Sequence, residues 1–172
     1  MNFLELAKKR FSCRKFSGKK VDPELIDHIL EAAMAAPTAK NNQPVKVWVF
    51  QSDEAKAVLP QVTGCCYGAS TFILVGGKKE DAWTREFDNE NFAAVDASIV
   101  ATHIMMEAAD LGLDSTWVGF FDAPKLKGFY PQLADYDLVA LFPIGYADDD
   151  PAGQPSPRHT LRKSKEEFID IL

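Results

Sequence analysis

The stretch TFILVGG, residues 71–77, constrains the fold of this chain more than any other. Phe72, Ile73, Leu74 and Val75 follow one another without a polar break and end in two glycines. A strand with one wet face alternates apolar and polar residues, whereas an unbroken apolar run is the mark of a strand buried on both faces. Such a strand needs partners along its edges and cover above and below.

The remaining sequence offers both. VKVWVF, residues 45–50, and LVALFPIGY, residues 138–146, have the β-branched and aromatic character of strands, and STWVGFF, residues 115–121, reads the same way. Cover comes from helical patterns. Residues 2–10 carry Phe3, Leu4, Leu6 and Ala7 behind the capping residue Asn2. Asp22 and Pro23 then open a helix with Leu25, Ile26, Ile29, Leu30, Ala33 and Met34 on one stripe, ended by Pro37. Ser52 caps a short helix that Pro60 closes, and a helical turn is expected at 124–128. Residues 91–111 form the longest helix, apolar nearly all round and stopped by Gly112. About four strands interleaved with four or five helices, with no dividing linker, predict a single domain of residues 1–172, a sheet covered by helices. A chain of 172 residues is long enough to bury about 70% of its unfolded surface in one core.

Charge and cysteine usage narrow the function. The formal net charge of −6 disfavours a nucleic-acid partner. The longest apolar runs are well short of the roughly 18 residues of a membrane span, so no membrane partner is expected. The opening MNFLELAKKR lacks the pattern of a secretory signal, and the expectation is a cytoplasmic location. Cys13, Cys65 and Cys66 include no CxxC pair, which points to reduced thiols and no metal site. Cys65 and Cys66 read as structural or incidental thiols, and His28 and His103 on their helices as structural.

Three polar clusters stand out against this background. In KKRFSCRKF an extended backbone puts Arg10, Ser12 and Arg14 on one face, where two guanidinium forks and a hydroxyl converge on an anion; the same residues also suit a solvated turn after a helix. The loop PTAKNNQP, residues 37–44, offers the amide donors and acceptors that read a flat heteroaromatic edge, and it is equally a loop of ordinary turn residues. Arg158, His159, Arg162 and Lys163 belong to a proline-rich arm, residues 147–172, and either complete an anion site or solubilise a tail. The arm ends in Phe168, Ile169, Ile171 and Leu172, which docking on a second subunit would bury.

Taken together and in this order, RFSCRKF after a short helix, AAPTAKNNQPVKVWVF, AADLGLDSTWVGFFD, LFPIGY and the late RK…EEF resemble the small FMN-dependent nitroreductases over nearly the whole chain. The resemblance implies an α+β fold with a central, mostly antiparallel sheet flanked by helices, in a homodimer whose C-terminal arms are exchanged and whose FMN lies between subunits. It implies that Arg10 and Ser12, on either side of Phe11, bind the FMN phosphate, that Arg162 completes the pocket with Arg158 as a secondary candidate, and that Arg14 faces the ribityl chain and pyrimidine edge. Asn41 or Asn42 and Gln43 would hydrogen-bond the flavin or its ribityl hydroxyls, with Pro37, Thr38 and Ala39 placing backbone groups beside it. The N–H groups of Val118 and Gly119 would lie near flavin N5, and Gly145 would line the same side.

The activity implied is an oxidoreductase that takes hydride from NAD(P)H as co-substrate and reduces a small electron acceptor, a nitroaromatic, quinone or similar electrophile, by ping-pong exchange. No side chain is required as a dedicated acid or nucleophile. Reduced flavin is anionic along its N1 and C2 carbonyl edge, so a nearby cation raises its potential, Arg14 first and Lys40 second. Residues 78–92, with Trp83 and Phe87, read as a substrate lid or as a surface excursion. Lys40 stands where many relatives carry a small residue, and Ser164 and Lys165 where they often have proline and leucine. The alternatives are a flavin carrier or sensor of the same fold without turnover, and a cofactor-free dimer that binds a small anion.

Overall fold

In the computed structural model, which describes residues 2–172, the chain runs through α1 (Phe3–Lys9), α2 (Pro23–Ala35), β1 (Val45–Phe50), α3 (Asp53–Val58), β2 (Thr71–Lys78), α4 (Ala93–Asp110), β3 (Asp114–Ser115), α5 (Ala123–Phe129), β4 (Tyr136–Gly145) and α6 (Lys165–Phe168). The helices begin where short polar side chains satisfy orphan backbone donors. Asn2 Oδ1 accepts from the Glu5 N–H at 2.9 Å, Asp22 from Glu24 at 3.0 Å ahead of Pro23, and Asp122 from Lys125 at 3.0 Å.

The strands form one sheet in the order β1-β2-β4-β3, antiparallel at every named pairing. This is the α+β architecture expected. β2 lies inside, paired with β1 on one edge and β4 on the other, and its alternation of faces explains the unbroken apolar run. Ile73 and Val75 face α2 and α4 with Ala140, Phe142 and Ile144 of β4; Phe72 and Leu74 face the opposite side with Leu59, Val62, Leu126, Leu133 and Leu141. Cys65 and Cys66 pack half-buried against that second layer, and all three cysteines are free thiols. At the end of β2 the glycines have a steric task. A Cβ on Gly77 would meet the Ala93 carbonyl closer than real carbon–oxygen contacts allow, so its absence is what lets the start of α4 lie against the sheet.

STWVGFF departs from the single strand expected. Only Asp114 and Ser115 pair as a strand, and Val118 adds one isolated bridge to Leu141. The N-terminal segment takes the other edge of β3: the Cys13 N–H bonds the Ser115 carbonyl at 3.1 Å and the Thr116 hydroxyl donates to the Cys13 carbonyl, while Thr116 and Trp117 lie outside the ladder to β4. The chain then turns at Gly119, where the Phe121 N–H reaches the Gly119 carbonyl.

The extended segment after α1 thereby joins the edge of the sheet, with Ser12 bridging Ser115 in parallel and Phe16 bridging Ala147. The arm is zipped to the same segment: Lys15 pairs with Asp150 at 2.8 Å and the Asp148 N–H reaches the Lys15 carbonyl. Beyond Thr160 every residue is exposed, and the short α6 is closed by a capping box between Ser164 and Glu167. Ser164 therefore has a local role as the cap of this helix.

Candidate functional site

Two surfaces carry the polar residues that the sequence singles out. The first is a cavity of about 230 Å³ lined by Arg10, Phe11, Ser12 and Arg14 from the N-terminal segment and by Ser156, Arg158, His159 and Arg162 from the arm. Extended backbone at residues 11–14 aims the three alternate side chains at one place. The arm is held over them by His159, whose Nε2 donates to the Lys8 carbonyl at 3.0 Å and whose ring stands edge-on to Phe11, 6.3 Å between centroids. Arg14 donates to the Ser12 carbonyl at 3.2 Å, and Arg162 to the carbonyls of His159 and Leu161, both at 2.7 Å.

Electrostatics at this cavity are unfavourable as they stand. Burial, and after it the guanidinium of Arg162, depress the Arg10 pKa below the usual arginine range. Four guanidiniums around one small cavity repel, and a bound dianion would turn that repulsion into charge-assisted hydrogen bonds. The donor set, forked cations with a serine hydroxyl, is the chemistry of a phosphate site. The residues present therefore fit a phosphomonoester group.

The second surface is the loop after α2. The turn at Ala39–Asn41 carries strained backbone: Lys40 and Asn41 within it have φ of 52° and 55°, and Gln43 just beyond it has φ of 53°. Asparagine tolerates that region, but lysine and glutamine each cost on the order of 1 kcal/mol there. Side-chain hydrogen bonds help to hold the loop. Thr38 Oγ1 accepts from the Gln43 N–H at 3.0 Å, Asn42 Nδ2 donates to the Asp81 carbonyl at 3.2 Å, and Asp96 Oδ1 accepts from the Ala39 N–H at 2.9 Å. The last is a hydrogen bond to a carboxylate, worth about 1.5–3 kcal/mol, enough to offset much of the strain. Asp96 is 1% exposed in the first turns of α4, and its Oδ2 is buried with no partner among the described residues.

Thr38 and Gln43 line a separate cavity with Leu30, Met34 and Val47, so one chain does not bring this loop and the basic cavity together. Pro37, Asn41 and Gln43 are exposed, while Asn42 is tied to residues 78–91 by its amide. Lys40 extends over Trp83, its Nζ 5.7 Å from the ring centroid; Trp83 packs on Phe92, and Phe87 is 97% exposed. Gly145 is buried against Phe16, where a Cβ would stand 3.2 Å from the ring.

Residues 7–66 and 63–146 match the sequence model of the Nitroreductase family. The chain belongs to the nitroreductase family. A solved nitroreductase family protein of Clostridium difficile 630 superposes with a TM-score of 0.90 at 34% identity, covering 99% of this chain and 98% of that one. A candidate nitroreductase of Exiguobacterium sibiricum 255-15, solved in complex with FMN, has a TM-score of 0.83 at 23% identity over 100% and 98% of the two chains. Among curated proteins, a candidate NADH dehydrogenase/NAD(P)H nitroreductase of Methanothermobacter thermautotrophicus is 29% identical over 88% of this chain and 80% of its own length.

In this member of the family, one of the backbone groups expected beside the flavin is already committed. The Val118 N–H is committed to the Leu141 carbonyl at 3.0 Å and Val118 is buried, so of the pair only Gly119 is exposed to a ligand. Neither helical histidine lines the two cavities: His103 Nδ1 donates to the Ile99 carbonyl at 2.9 Å, and His28 lies 3.8 Å from Glu31 on the surface of α2. Sequence reasoning missed Ser156 and Asp96. Ser156 had no signal beyond its neighbours in the arm. Asp96 had one, as the sole formally charged residue between positions 93 and 106 of an apolar helix. No group of three or more His, Cys, Asp or Glu among the described residues is arranged to hold a metal, and no helix among them is long and apolar enough to cross a membrane.

Proposed function

We propose that this chain is an FMN-dependent NAD(P)H oxidoreductase that reduces a small electrophile and works as a homodimer in the cytoplasm. The observation that carries the reading is the meeting of Arg10, Ser12 and Arg14 with Arg158 and Arg162 around one cavity, where like charges lack an anion among the described residues. Arg10, Ser12 and Arg162 would grip the phosphate, with Arg158 at the rim. Arg14 would present its charge towards the ribityl chain and the pyrimidine edge.

A second copy supplies what one chain lacks. The loop of residues 37–43 lies outside the basic cavity of its own protomer, and Phe168, Ile169, Ile171 and Leu172 are exposed at the end of the arm. We read the exposed end of the arm, beyond Lys163, as crossing to the partner, and the partner's loop as closing the other side of the flavin. Half-exposed Val95 and Ile99 on α4 offer apolar surface for that contact.

When bound, the flavin supplies the redox chemistry: it accepts hydride and hands electrons to the second substrate. The side chains bind and orient. Arg14 and Lys40 favour the negative charge that reduction leaves, the loop amides fix the ring edge, and Gly119 lets backbone approach it closely. The name of the Methanothermobacter relative and the FMN in the Exiguobacterium structure support the choice of cofactor and hydride donor.

The test is an absorbance spectrum of purified protein after incubation with FMN, followed by NADH and NADPH oxidation with a quinone or nitroaromatic. A bound flavin spectrum and sustained turnover in a particle of twice the chain mass are the expected results. Bound flavin without turnover would make the chain a carrier or sensor, and a colourless protein would sink the flavin site.

A further inference from the structure

The buried acid of α4 belongs to neither cavity, yet it touches the loop that the proposed site depends on. Asp96 reaches across 57 positions of sequence to bind the Ala39 N–H at 2.9 Å. Its other oxygen is buried and has no partner among the described residues. A stranded buried acceptor works against stability, so packing alone does not explain a carboxylate here. The loop on the other side of that bond is strained in the opposite sense, with Lys40, Asn41 and Gln43 all left-handed and no glycine among residues 37–44. Strain of this kind persists only where the surroundings hold it. α4 is a firm base for the hold, since Asn91 Oδ1 accepts from the Ala93 N–H at 3.1 Å and Gly77 seats Ala93 on the sheet.

We propose that Asp96 is a positioning residue: by holding Ala39 it keeps Lys40, Asn41 and Gln43 left-handed, and so sets the face that the loop presents to the ring end of the flavin. This rests on the reading of the site given above. Without the bond, Lys40 and Gln43 relax to negative φ, their peptide planes rotate, and the Lys40 ammonium leaves its place over Trp83. Asp96 touches no ligand in this scheme and acts only through the loop.

The experiment compares Asp96→Ala and Asp96→Asn in the full chain with two readouts. The first needs no flavin. Amide hydrogen exchange of residues 38–43 should quicken by about tenfold or more in the alanine variant, from loss of one charge-assisted bond, while β2 and β4 stay as protected as in the parent. Asparagine keeps an oxygen for Ala39 and should restore protection. The second readout is binding of FMN and of riboflavin. Because the loop meets the ring and not the phosphate, Asp96→Ala should weaken both flavins alike, by about tenfold, and Asp96→Asn should bring both back to within about threefold of the parent.

Unchanged loop exchange in Asp96→Ala overturns the proposal, as does a loosened loop with undiminished affinity for both flavins. Equal loss in both variants with faster exchange across the sheet would make Asp96 a core residue and overturn it too. A parent that binds neither flavin overturns the site itself and the flavin half of this proposal. Exchange confined to residues 38–43 would even then uphold the hold on the loop.

Discussion

Removing Arg162 should have opposite effects on ligand binding and on the stability of the free protein. Arg162 lines the proposed phosphate cavity and is, after burial, the reason that the Arg10 charge is disfavoured. A hydrogen bond to a charged group contributes about 1.5–3 kcal/mol, and each 1.4 kcal/mol is tenfold in affinity, so one lost guanidinium weakens FMN by about 10- to 150-fold. Arg162 is exposed, and solvent screening puts Arg162→Ala near the lower end, about tenfold; half-buried Arg10 should lie higher. Riboflavin has no phosphate, so its affinity should change by less than about threefold. In the ligand-free protein, Arg162→Ala removes a repulsion, and the melting temperature should hold or rise. Fluorescence titration with both flavins and thermal melts with and without inorganic phosphate give the four numbers needed. Equal weakening of FMN and riboflavin, or a ligand-free protein that melts lower in Arg162→Ala and Arg10→Ala alike, would refute the argument that these arginines await a phosphate.

Two further outcomes test the scaffold beneath the site. Gly77→Ala forces a methyl group against the Ala93 carbonyl and should cost about 3 kcal/mol, lowering the melting temperature by about 6–12 °C; a parent-like melt would mean that α4 does not need its close seat on β2. Asp114 is held above the usual carboxylate range mainly by burial, opposed by its bond from the Ala147 N–H and by Lys9. A raised folded pKa means that its contribution is best at low pH and worsens as pH rises from the unfolded value near 4 through the folded one. Asp114→Asn keeps an acceptor for Ala147 and should melt higher than the parent at pH 7 but not at pH 3, a ranking that calorimetry at the two pH values would confirm or reverse.

Much of the architecture was legible because it is encoded between near neighbours. The run Phe72–Val75 announced a strand buried on both faces, and the structure divides it by alternation between two apolar layers. Asp22 with Pro23, and Ser52, marked helix starts that the backbone adopts. STWVGFF is only partly a strand: Ser115 pairs with β4 on one edge and takes the Cys13 N–H on the other, and pairing with β4 resumes only at Val118, an arrangement that no local pattern contains. The left-handed loop was also hidden, since TAKNNQ has no glycine to advertise positive φ.

The sequence by itself determined which strand and helix side chains face inward, and offered Arg10, Ser12 and Arg14 as one face of an extended segment, because helix and strand periods depend only on positions a few residues apart. Only the tertiary structure decided that Arg158 and Arg162 join them. That meeting depends on contacts such as His159 with Lys8, 151 positions apart, and Lys15 with Asp150, 135 apart. It likewise decided that Asp96 holds Ala39. Such pairings close long loops of chain and become favourable only when the whole sheet is built, so no short stretch of sequence carries their signature.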